Sequence, residues 1–353
     1  MVMFIFSRRG DMLYFFYVGC YTSNPKDKGI HLLSLDTDGG ILCLEDSFYG
    51  GENPSFLLRS GNFLYAANET GRAGMVSALS VGAGNALAFL NSREAAGAGT
   101  CHVALMNNYL YAANYESGSI FGVEILPDGS LGAVVTEIQH EGSGPNPGRQ
   151  SGPHAHSVNP VPGINLLIAA DLGADSLFCY NQRKDGSLVP DNVSPVVSTP
   201  PGGGPRHLAI HDGKLVYAVM ELGISMACYK LTNTRLEPEA VYSLIEGAFT
   251  QADTAADIHF TADGTRLYAS VRGKNLISAF NTAEGFKPNF IGSYPTFGDS
   301  PRNFCFSPGE EFVLIAHQAS GHVTVCPIDP KTGAVGNALG SVILPGASCV
   351  IKT

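Results

Sequence analysis

A repeat of about 50 residues runs through the chain and constrains its fold more than any other feature. Each copy contains a short apolar run, a turn, and a second run close to Leu-Tyr-Ala-Ala, as in "NPSFLLRSGNFLYAANE" from Asn53 and "TCHVALMNNYLYAANYE" from Thr100. Further copies begin at Gly152, Gly204, Ala256 and Ser300. A third apolar run follows most copies, for example "SIFGVEIL" and "SLFCYNQ". A repeat of this length, built from three or four short strands, is typical of a β-propeller blade.

The two ends of the chain together complete a seventh copy. The C-terminal "GASCVIKT" repeats only the opening run, whereas "LYFFYVGCYT" and "GIHLLSLD" near the N-terminus match the runs that should follow it. We therefore predict an all-β, seven-bladed β-propeller whose last blade is closed by N-terminal strands and the C-terminal strand. Such closure removes the open sheet edge of an unclosed array. We expect an N-terminal extension at residues 1–11 and a single propeller domain at 12–353.

Composition agrees with short strands and argues against several classes of function. Of 353 residues, 42 are glycine and only 15% are charged, as expected for many strands joined by tight turns. The formal net charge of -10 argues against a nucleic-acid partner. No run reaches the roughly 18 uncharged apolar residues of a membrane span. The eight cysteines are scattered without a C-x-x-C pair, which indicates reduced thiols in a cytoplasmic protein. We expect a monomer or a weak homodimer.

Two sets of residues should line one mouth of the central channel, because the start of the first strand and the end of the second strand of a blade share one rim. The first set is predicted to be Ser55, His102, His154, Arg206, Asp257, Arg302 and Ser348. The second set, aligned on the Tyr-Ala-Ala core, is predicted to be Tyr21, Glu69, Tyr115, Leu172, Glu221, Arg272 and Gln318. The ionisable members crowd into the blades after residue 152. This asymmetry predicts an anion-binding pocket, since guanidinium groups can bond phosphate or carboxylate bidentately.

Structural roles compete with functional ones at several of these positions. At Arg302 a structural role, either a tie to a loop carbonyl or an ion pair, explains the residue as well as a functional role does. Asp257 in "AADIH" is better explained by a structural role such as an Asx-type turn. The residues whose convergence favours function are His154, Arg206, Glu221 and Arg272. The sequence lacks the usual dinucleotide, P-loop, nucleophile-elbow and zinc-protease motifs. His154, His156, Asp171 and Glu221 have no recognised metal-ligand spacing, so we predict neither a metal nor a cofactor.

Five segments of the chain carry a resemblance to a known family. The segments are "YVGCYT", "GPHAHS", "GPRHLAIH", "AADIHFTADGTRLYASVRG" and "SPRNFCFSPGEEFVLIAHQ". Together they resemble the seven-bladed propeller lactonases, which include propeller-type 6-phosphogluconolactonases and fungal carboxymuconate-lactonizing enzymes. The resemblance extends over nearly the whole chain from about residue 14. It implies an active site of one histidine, two arginines and one glutamate, which here are His154, Arg206, Glu221 and Arg272.

The resemblance implies hydrolysis of a small anionic sugar lactone, and 6-phosphogluconolactone is the expected substrate. Either Glu221 or His154 would activate water, Arg206 would polarise the lactone carbonyl, and Arg272 would hold the anionic end of the substrate. The additional substrate-binding residues we expect are Arg302, Asp257, Gln318 and His102. Two alternatives stay open: a carboxymuconate-type lactonizing cycloisomerase that uses the same groups for proton transfer, and a non-enzymatic propeller that acts as a binding platform.

Overall fold

The computed structural model describes residues 13–283 and 287–353, and these residues form seven antiparallel sheets. The chain begins with the strands β1 (Leu13–Cys20), β2 (Ile30–Asp36) and β3 (Ile41–Phe48) of blade 7. Blade 1 contains β4 (Pro54–Ser60), β5 (Phe63–Asn68), β6 (Gly74–Val81) and β7 (Leu87–Ala95), with a 3-10 turn at Ala83–Asn85. Blade 2 contains β8 (Thr100–Met106), β9 (Tyr109–Asn114), β10 (Ser119–Ile125) and β11 (Leu131–Gln139).

The next two blades differ in their outer strands. Blade 3 contains β12 (Ala155–Pro160), β13 (Leu167–Asp171), β14 (Ser176–Gln182), β15 (Leu188–Pro190) and β16 (Val196–Ser198). Here β15 and β16 both pair with β14, so the outer strand is interrupted. Blade 4 contains β17 (Pro205–His211), β18 (Leu215–Met220), β19 (Ser225–Thr232) and β20 (Arg235–Ser243).

The last strands complete the ring. Blade 5 contains β21 (Thr254–Phe260), β22 (Arg266–Arg272), β23 (Leu276–Asn281) and β24 (Asn289–Pro295). Blade 6 contains β25 (Pro301–Phe306), β26 (Phe312–His317), β27 (His322–Pro327) and β28 (Gly340–Ile343). The final strand is β29 (Ala347–Lys352). None of the helical segments in the described part of the chain is long and apolar enough to cross a bilayer.

The closure of the ring is as predicted. The C-terminal strand β29 pairs antiparallel with β1, so that Val350 lies opposite Val18, and blade 7 has the strand order β29-β1-β2-β3. The seven-bladed fold predicted from the repeat is therefore confirmed. The expected N-terminal extension, residues 1–11, lies outside the described residues.

The core is divided among the interfaces between blades. Among the described residues, seven apolar clusters form, and each is contributed by two neighbouring blades. The repeated Tyr-Ala-Ala run explains this arrangement: Ala66, Ala67, Ala112 and Ala113 are fully buried on strands packed on both faces. Small side chains let adjacent sheets approach near the axis, where the ring is narrowest. Each blade thus supplies half of two cores, which explains why the ring needs all seven copies.

The tyrosine of the repeat ties one blade to the next. Its phenol donates a hydrogen bond to a backbone carbonyl in a turn of the following blade. The pairs are Tyr17–Asn85 at 2.7 Å, Tyr65–Gly129 at 3.2 Å, Tyr111–Gly186 at 2.6 Å and Tyr268–Gly333 at 2.8 Å. These phenols are buried, and a buried hydroxyl needs such a partner. The Leu-Tyr-Ala-Ala motif therefore specifies both the interface core and its polar contact.

A β-bulge recurs near the start of the inner strand of every blade. In blade 1 the pair Pro54–Asn68 is followed by Phe56–Ala67, which leaves Ser55 as the extra residue. A bulge re-aims the side chains beside it. In blade 4, for example, Arg206 and His207 are consecutive, yet their side chains lie 3.3 Å apart, Nη1 to Nε2. Successive residues of an inner strand can therefore both face the channel.

Candidate active site

Two rings of residues form the mouth of the channel. The first ring consists of the residue that follows the last strand pair before each bulge, and its members are Ser55, Cys101, His156, Arg206, Ala256, Arg302 and Ser348. The second ring comes from the ends of the second strands and has the predicted register. Its members are Tyr21, Glu69, Tyr115, Leu172, Glu221, Arg272 and Gln318. Side chains from all seven blades thus meet at one end of the channel.

The register predicted for the first ring is wrong in three blades. His102 and Asp257 lie one residue further into the channel than the ring, and His154 lies two residues before it, ahead of β12. Cys101 and His156 hold the corresponding ring positions in blades 2 and 3. The apolar pattern does not reveal a bulge, because a bulge adds one residue to the strand without changing its composition.

Glu221 is the centre of an ionic cluster in blades 4 and 5. Its Oε2 lies 3.0 Å from Nε of Arg206 and 2.9 Å from Nη2 of Arg272. Its Oε1 accepts a hydrogen bond of 2.6 Å from Nη2 of Arg149. Although burial alone would raise the pKa of Glu221, the three guanidinium groups lower it to about 2. Glu221 is therefore a carboxylate whose oxygens are occupied by arginines, which makes it a weak base.

Arg206 is held in place by a chain of polar contacts. The residue is 1% exposed, and its Nη1 donates to the carbonyl of Ala256 and contacts Nε2 of His207. On the far side, Nδ1 of His207 lies 2.7 Å from Oδ1 of Asp257. Burial and the neighbouring arginines lower the pKa of Arg206 to about 10, and burial and Arg206 lower that of His207 to about 4. At neutral pH, His207 is thus an uncharged bridge between a cation and an anion.

Asp257 and His102 lie below the mouth and are buried. Oδ2 of Asp257 accepts hydrogen bonds from Nδ2 of Asn303 at 2.5 Å and from the amide of Phe304 at 3.3 Å, and it lies 2.7 Å from Nε2 of His259. His102 stacks on Phe56 with the ring centroids 4.2 Å apart. Burial lowers the pKa of His102 well below its usual value. The substrate-binding roles expected for Asp257 and His102 remain predictions, and the structure places both residues beneath the ring that contains Arg206.

His154 stands at the rim, apart from the arginine cluster. Its amide donates to Oδ1 of Asp171 at 2.7 Å, and its Nδ1 donates to the carbonyl of Tyr115 at 2.8 Å. The imidazole also stacks on the Tyr115 ring, with centroids 4.7 Å apart. Because Nδ1 donates to this carbonyl, Nε2 is the ring nitrogen that holds the lone pair in the neutral form of the imidazole. The structure therefore brings Arg206, Glu221 and Arg272 into contact. It connects His154 to them only indirectly, through Tyr115 and then Arg149.

Arg149 belongs to this site and was not predicted. It lies in the loop "GSGPNPGRQSG", and its Nη2 donates both to Glu221 and to the hydroxyl of Tyr115, the latter at 2.9 Å. The adjacent Gln150 is fully buried and donates to Oδ1 of Asp175 at 2.6 Å, which anchors the loop. The side chain of Arg149 is 38% exposed. The sequence feature that could have indicated Arg149 is its place in a glycine- and proline-rich loop that leads to the mouth. The direction of the arginine side chain, however, depends on how the loop folds.

A second ionic cluster lies across the mouth in blades 6, 7 and 1. Oε2 of Glu69 accepts hydrogen bonds from the hydroxyl of Tyr21 at 2.5 Å and of Ser55 at 2.8 Å. Nη2 of Arg302 lies 3.6 Å from the same oxygen, and Nη1 of Arg302 donates to Oε1 of Gln318 at 3.3 Å. Of the residues predicted for substrate binding, Arg302 and Gln318 are thus in contact with each other, within a cluster separate from Glu221.

The charges at the mouth do not balance. The four guanidinium groups belong to Arg149, Arg206, Arg272 and Arg302, whereas the two carboxylates belong to Glu69 and Glu221. Guanidinium groups therefore outnumber carboxylates by two in the outer part of the mouth, and the carboxylate of Asp257 lies one layer below, joined to Arg206 through His207. This cationic site lies within a chain whose formal net charge is -10. Over residues 13–283 and 287–353, no group of three or more His, Cys, Asp or Glu side chains is arranged to hold a metal ion. The arrangement is suited to binding an anion.

Comparison with known proteins identifies the class to which this fold and site belong. The family model for lactonase, 7-bladed beta-propeller, matches residues 15–352, so the chain belongs to this family and the resemblance noted in the sequence is confirmed. One relative is the 6-phosphogluconolactonase of Bacillus subtilis (strain 168), with 32% identity over 96% of this chain and 97% of that protein. The periplasmic gluconolactonase of Pseudomonas aeruginosa is similar in structure, with a TM-score of 0.89, 30% identity, and coverage of 97% of this chain and 99% of that one.

Proposed function

We propose that this protein hydrolyses 6-phosphogluconolactone to 6-phosphogluconate. The observation that carries the proposal is the excess of guanidinium groups over carboxylates in the outer part of the mouth, with four arginines and two glutamates. A phosphomonoester carries about -1.5 to -2 charges at pH 7, so it is attracted to a mouth in which arginines outnumber carboxylates. The similarity to the Bacillus subtilis 6-phosphogluconolactonase supports the same substrate.

We assign the role of general base to His154 rather than to Glu221. The carbonyl of Tyr115 fixes the Nδ1–H tautomer of His154, so Nε2 can take a proton from the attacking water. The pKa of Glu221, about 2, makes that carboxylate too weak a base at neutral pH. Glu221 instead holds three guanidinium groups in position, and it acts through them.

The arginines have two different roles, stabilisation of the oxyanion and binding of the phosphate. Arg206 is buried and immobilised, as expected for a group that polarises the lactone carbonyl and stabilises the oxyanion formed by water attack. Arg272 and Arg149 are 14% and 38% exposed and therefore available to the phosphate. When the tetrahedral intermediate collapses, the ring ester bond breaks and the leaving alkoxide takes up a proton, which His154 can return.

We also propose that the protein acts in the cytoplasm, as part of the pentose phosphate pathway. A 6-phosphogluconolactonase acts in the pentose phosphate pathway. All eight cysteines are free and six of them are buried, which is consistent with a cytoplasmic location. We expect the protein to act as a monomer or a weak homodimer.

The test is whether the purified protein accelerates loss of 6-phosphogluconolactone beyond its spontaneous hydrolysis. The lactone can be generated by oxidising glucose 6-phosphate, and the acid that forms can be followed with a coupled NADP-dependent oxidation. His154→Asn should abolish the acceleration, while His211→Asn, a control in β17 at the end of the strand away from the mouth, should retain it. If the wild-type protein leaves the spontaneous rate unchanged, the proposal is wrong. Cyclisation of a muconate would then favour the cycloisomerase, and inertness toward both substrates would favour the binding platform.

A further inference from the structure

We propose that Glu69 is a specificity-determining residue that binds the ring hydroxyl groups of the substrate. The inference rests on the proposed function, because it concerns the same mouth and a sugar lactone. It assigns to blades 6, 7 and 1 a task that the arginines around Glu221 cannot perform, namely recognition of the uncharged part of the sugar.

The two carboxylates at the mouth differ in what their oxygens contact. Both oxygens of Glu221 are occupied by guanidinium groups. At Glu69, by contrast, Tyr21, Ser55 and Arg302 all contact Oε2. Within the described residues, Oε1 of Glu69 has no hydrogen-bond partner, and the side chain is 22% exposed. Glu69 therefore presents one free acceptor oxygen to the mouth, on the side opposite Glu221.

The surroundings constrain the other oxygen of Glu69, Oε2. Burial raises the pKa of Tyr21, so its phenol keeps its proton and remains a donor to Oε2. The guanidinium of Arg302 lies over the Tyr21 ring, 5.7 Å from its centroid, and is itself tied to Gln318. A carboxylate fixed on one oxygen by two hydroxyl donors loses little entropy when the other oxygen accepts a new hydrogen bond.

The chemistry of the free oxygen selects a hydroxyl group as its ligand. A carboxylate oxygen accepts hydrogen bonds and cannot donate them, so it needs an O–H or N–H donor. A cationic donor is disfavoured because the mouth already carries excess positive charge, whereas the phosphate of the substrate will be drawn to the arginines. The donors that remain on a sugar lactone are its ring hydroxyls. With the phosphate near Arg149 and Arg272, a hydroxyl would reach the opposite wall, where Glu69 lies.

The experiment compares 6-phosphogluconolactone with its 2-deoxy, 3-deoxy and 4-deoxy analogues on wild-type protein and on Glu69→Gln. A hydrogen bond to a charged acceptor is worth roughly a 10- to 100-fold change in kcat/KM. In the wild type, kcat/KM for at least one deoxy analogue should be lower than kcat/KM for the complete lactone by this factor. Glu69→Gln should lower kcat/KM for the complete lactone by the same factor. On that deoxy analogue the variant and the wild type should differ by less than about three-fold, because the missing hydroxyl and the missing charge remove one shared interaction.

Two controls keep the outcome interpretable. Glu52→Gln removes a carboxylate of blade 1 that pairs with the exposed Arg72. In this variant the ratio of kcat/KM for the complete lactone to kcat/KM for each deoxy analogue should stay at the wild-type value. Tyr21→Phe leaves the Glu69 carboxylate in place but removes one of its hydroxyl donors, and it should lower the same ratio by a smaller factor. Equal loss on every lactone, or no loss on any, overturns the role of Glu69. Failure of the proposed function is distinct, because then the wild-type protein itself hydrolyses none of the lactones. Calorimetric binding of 6-phosphogluconate to wild type and Glu69→Gln would still test Glu69, and equal affinities would overturn it.

Discussion

Replacing Glu221 with glutamine should destabilise the protein although the two side chains have nearly the same volume. Arg206 is 1% exposed, so removing the carboxylate leaves a buried cation without its anionic partner. Folding shifts the pKa of Glu221 from 4.5 to about 2, with the arginines overcoming the opposing effect of burial. This difference corresponds to roughly 3 kcal/mol of stability at neutral pH. Removing one partner of a buried ion pair costs about 3–5 kcal/mol. The two routes therefore agree on a loss of several kcal/mol.

The pH dependence of the loss identifies its origin. Because the folded pKa is below the unfolded one, the stabilisation from Glu221 is fully present above pH 4.5 and disappears as the pH falls toward 2. The difference in unfolding free energy between wild type and Glu221→Gln should be constant from pH 7 to about pH 5. Below pH 4.5 it should shrink by about 1.4 kcal/mol per pH unit. A packing defect would show no such dependence.

Urea unfolding between pH 7 and pH 3.5 measures this difference directly. The chain has no tryptophan, so circular dichroism or tyrosine fluorescence should report unfolding. At pH 7 the melting temperature of Glu221→Gln should fall by about 4 °C, given an unfolding entropy that scales with chain length. Glu94→Gln, an exposed control in β7, should stay within about 0.5 kcal/mol of wild type. A variant as stable as wild type at pH 7, or a difference that persists unchanged to pH 3.5, would refute the reasoning.

Three further predictions concern the base, the phosphate and the ring closure. His154→Asn should lower kcat at least 100-fold without changing the melting temperature. If the pH-rate profile of this variant keeps its acidic limb, that limb belongs to another group and His154 is not the base. Arg149→Ala should weaken kcat/KM for the phosphorylated lactone roughly 10-fold or more and spare unphosphorylated gluconolactone, and equal losses on both would argue for a structural role of the arginine. Deleting residues 347–353 should destabilise the whole ring, since burial of Val350 alone contributes about 1.5–3 kcal/mol, and a truncated protein that melts like the parent would contradict closure by β29.

The sequence by itself determined the architecture. The Leu-Tyr-Ala-Ala run or a close variant recurs about every 50 residues, and each copy encodes the same local structure: a buried strand, a tight turn and an interface packed on both sides. The incomplete copies at the two ends specified the closure between β1 and β29. The second ring, including Glu69, Glu221 and Arg272, followed from the same motif, because those residues lie at or directly after the end of the regular second strand.

Only the tertiary structure decided how the site is assembled. The bulges of the inner strands place His156 in the ring and His154 at the rim, and the apolar pattern of the strands cannot distinguish the two. Arg149 reaches Glu221 across 72 residues of sequence because the folded loop directs it there. The different roles of Glu221 and Glu69 likewise depend on which donors surround each carboxylate. A repeat encodes the contacts that every blade shares, whereas the chemistry depends on contacts between unlike side chains from different blades, and these exist only once the ring has closed.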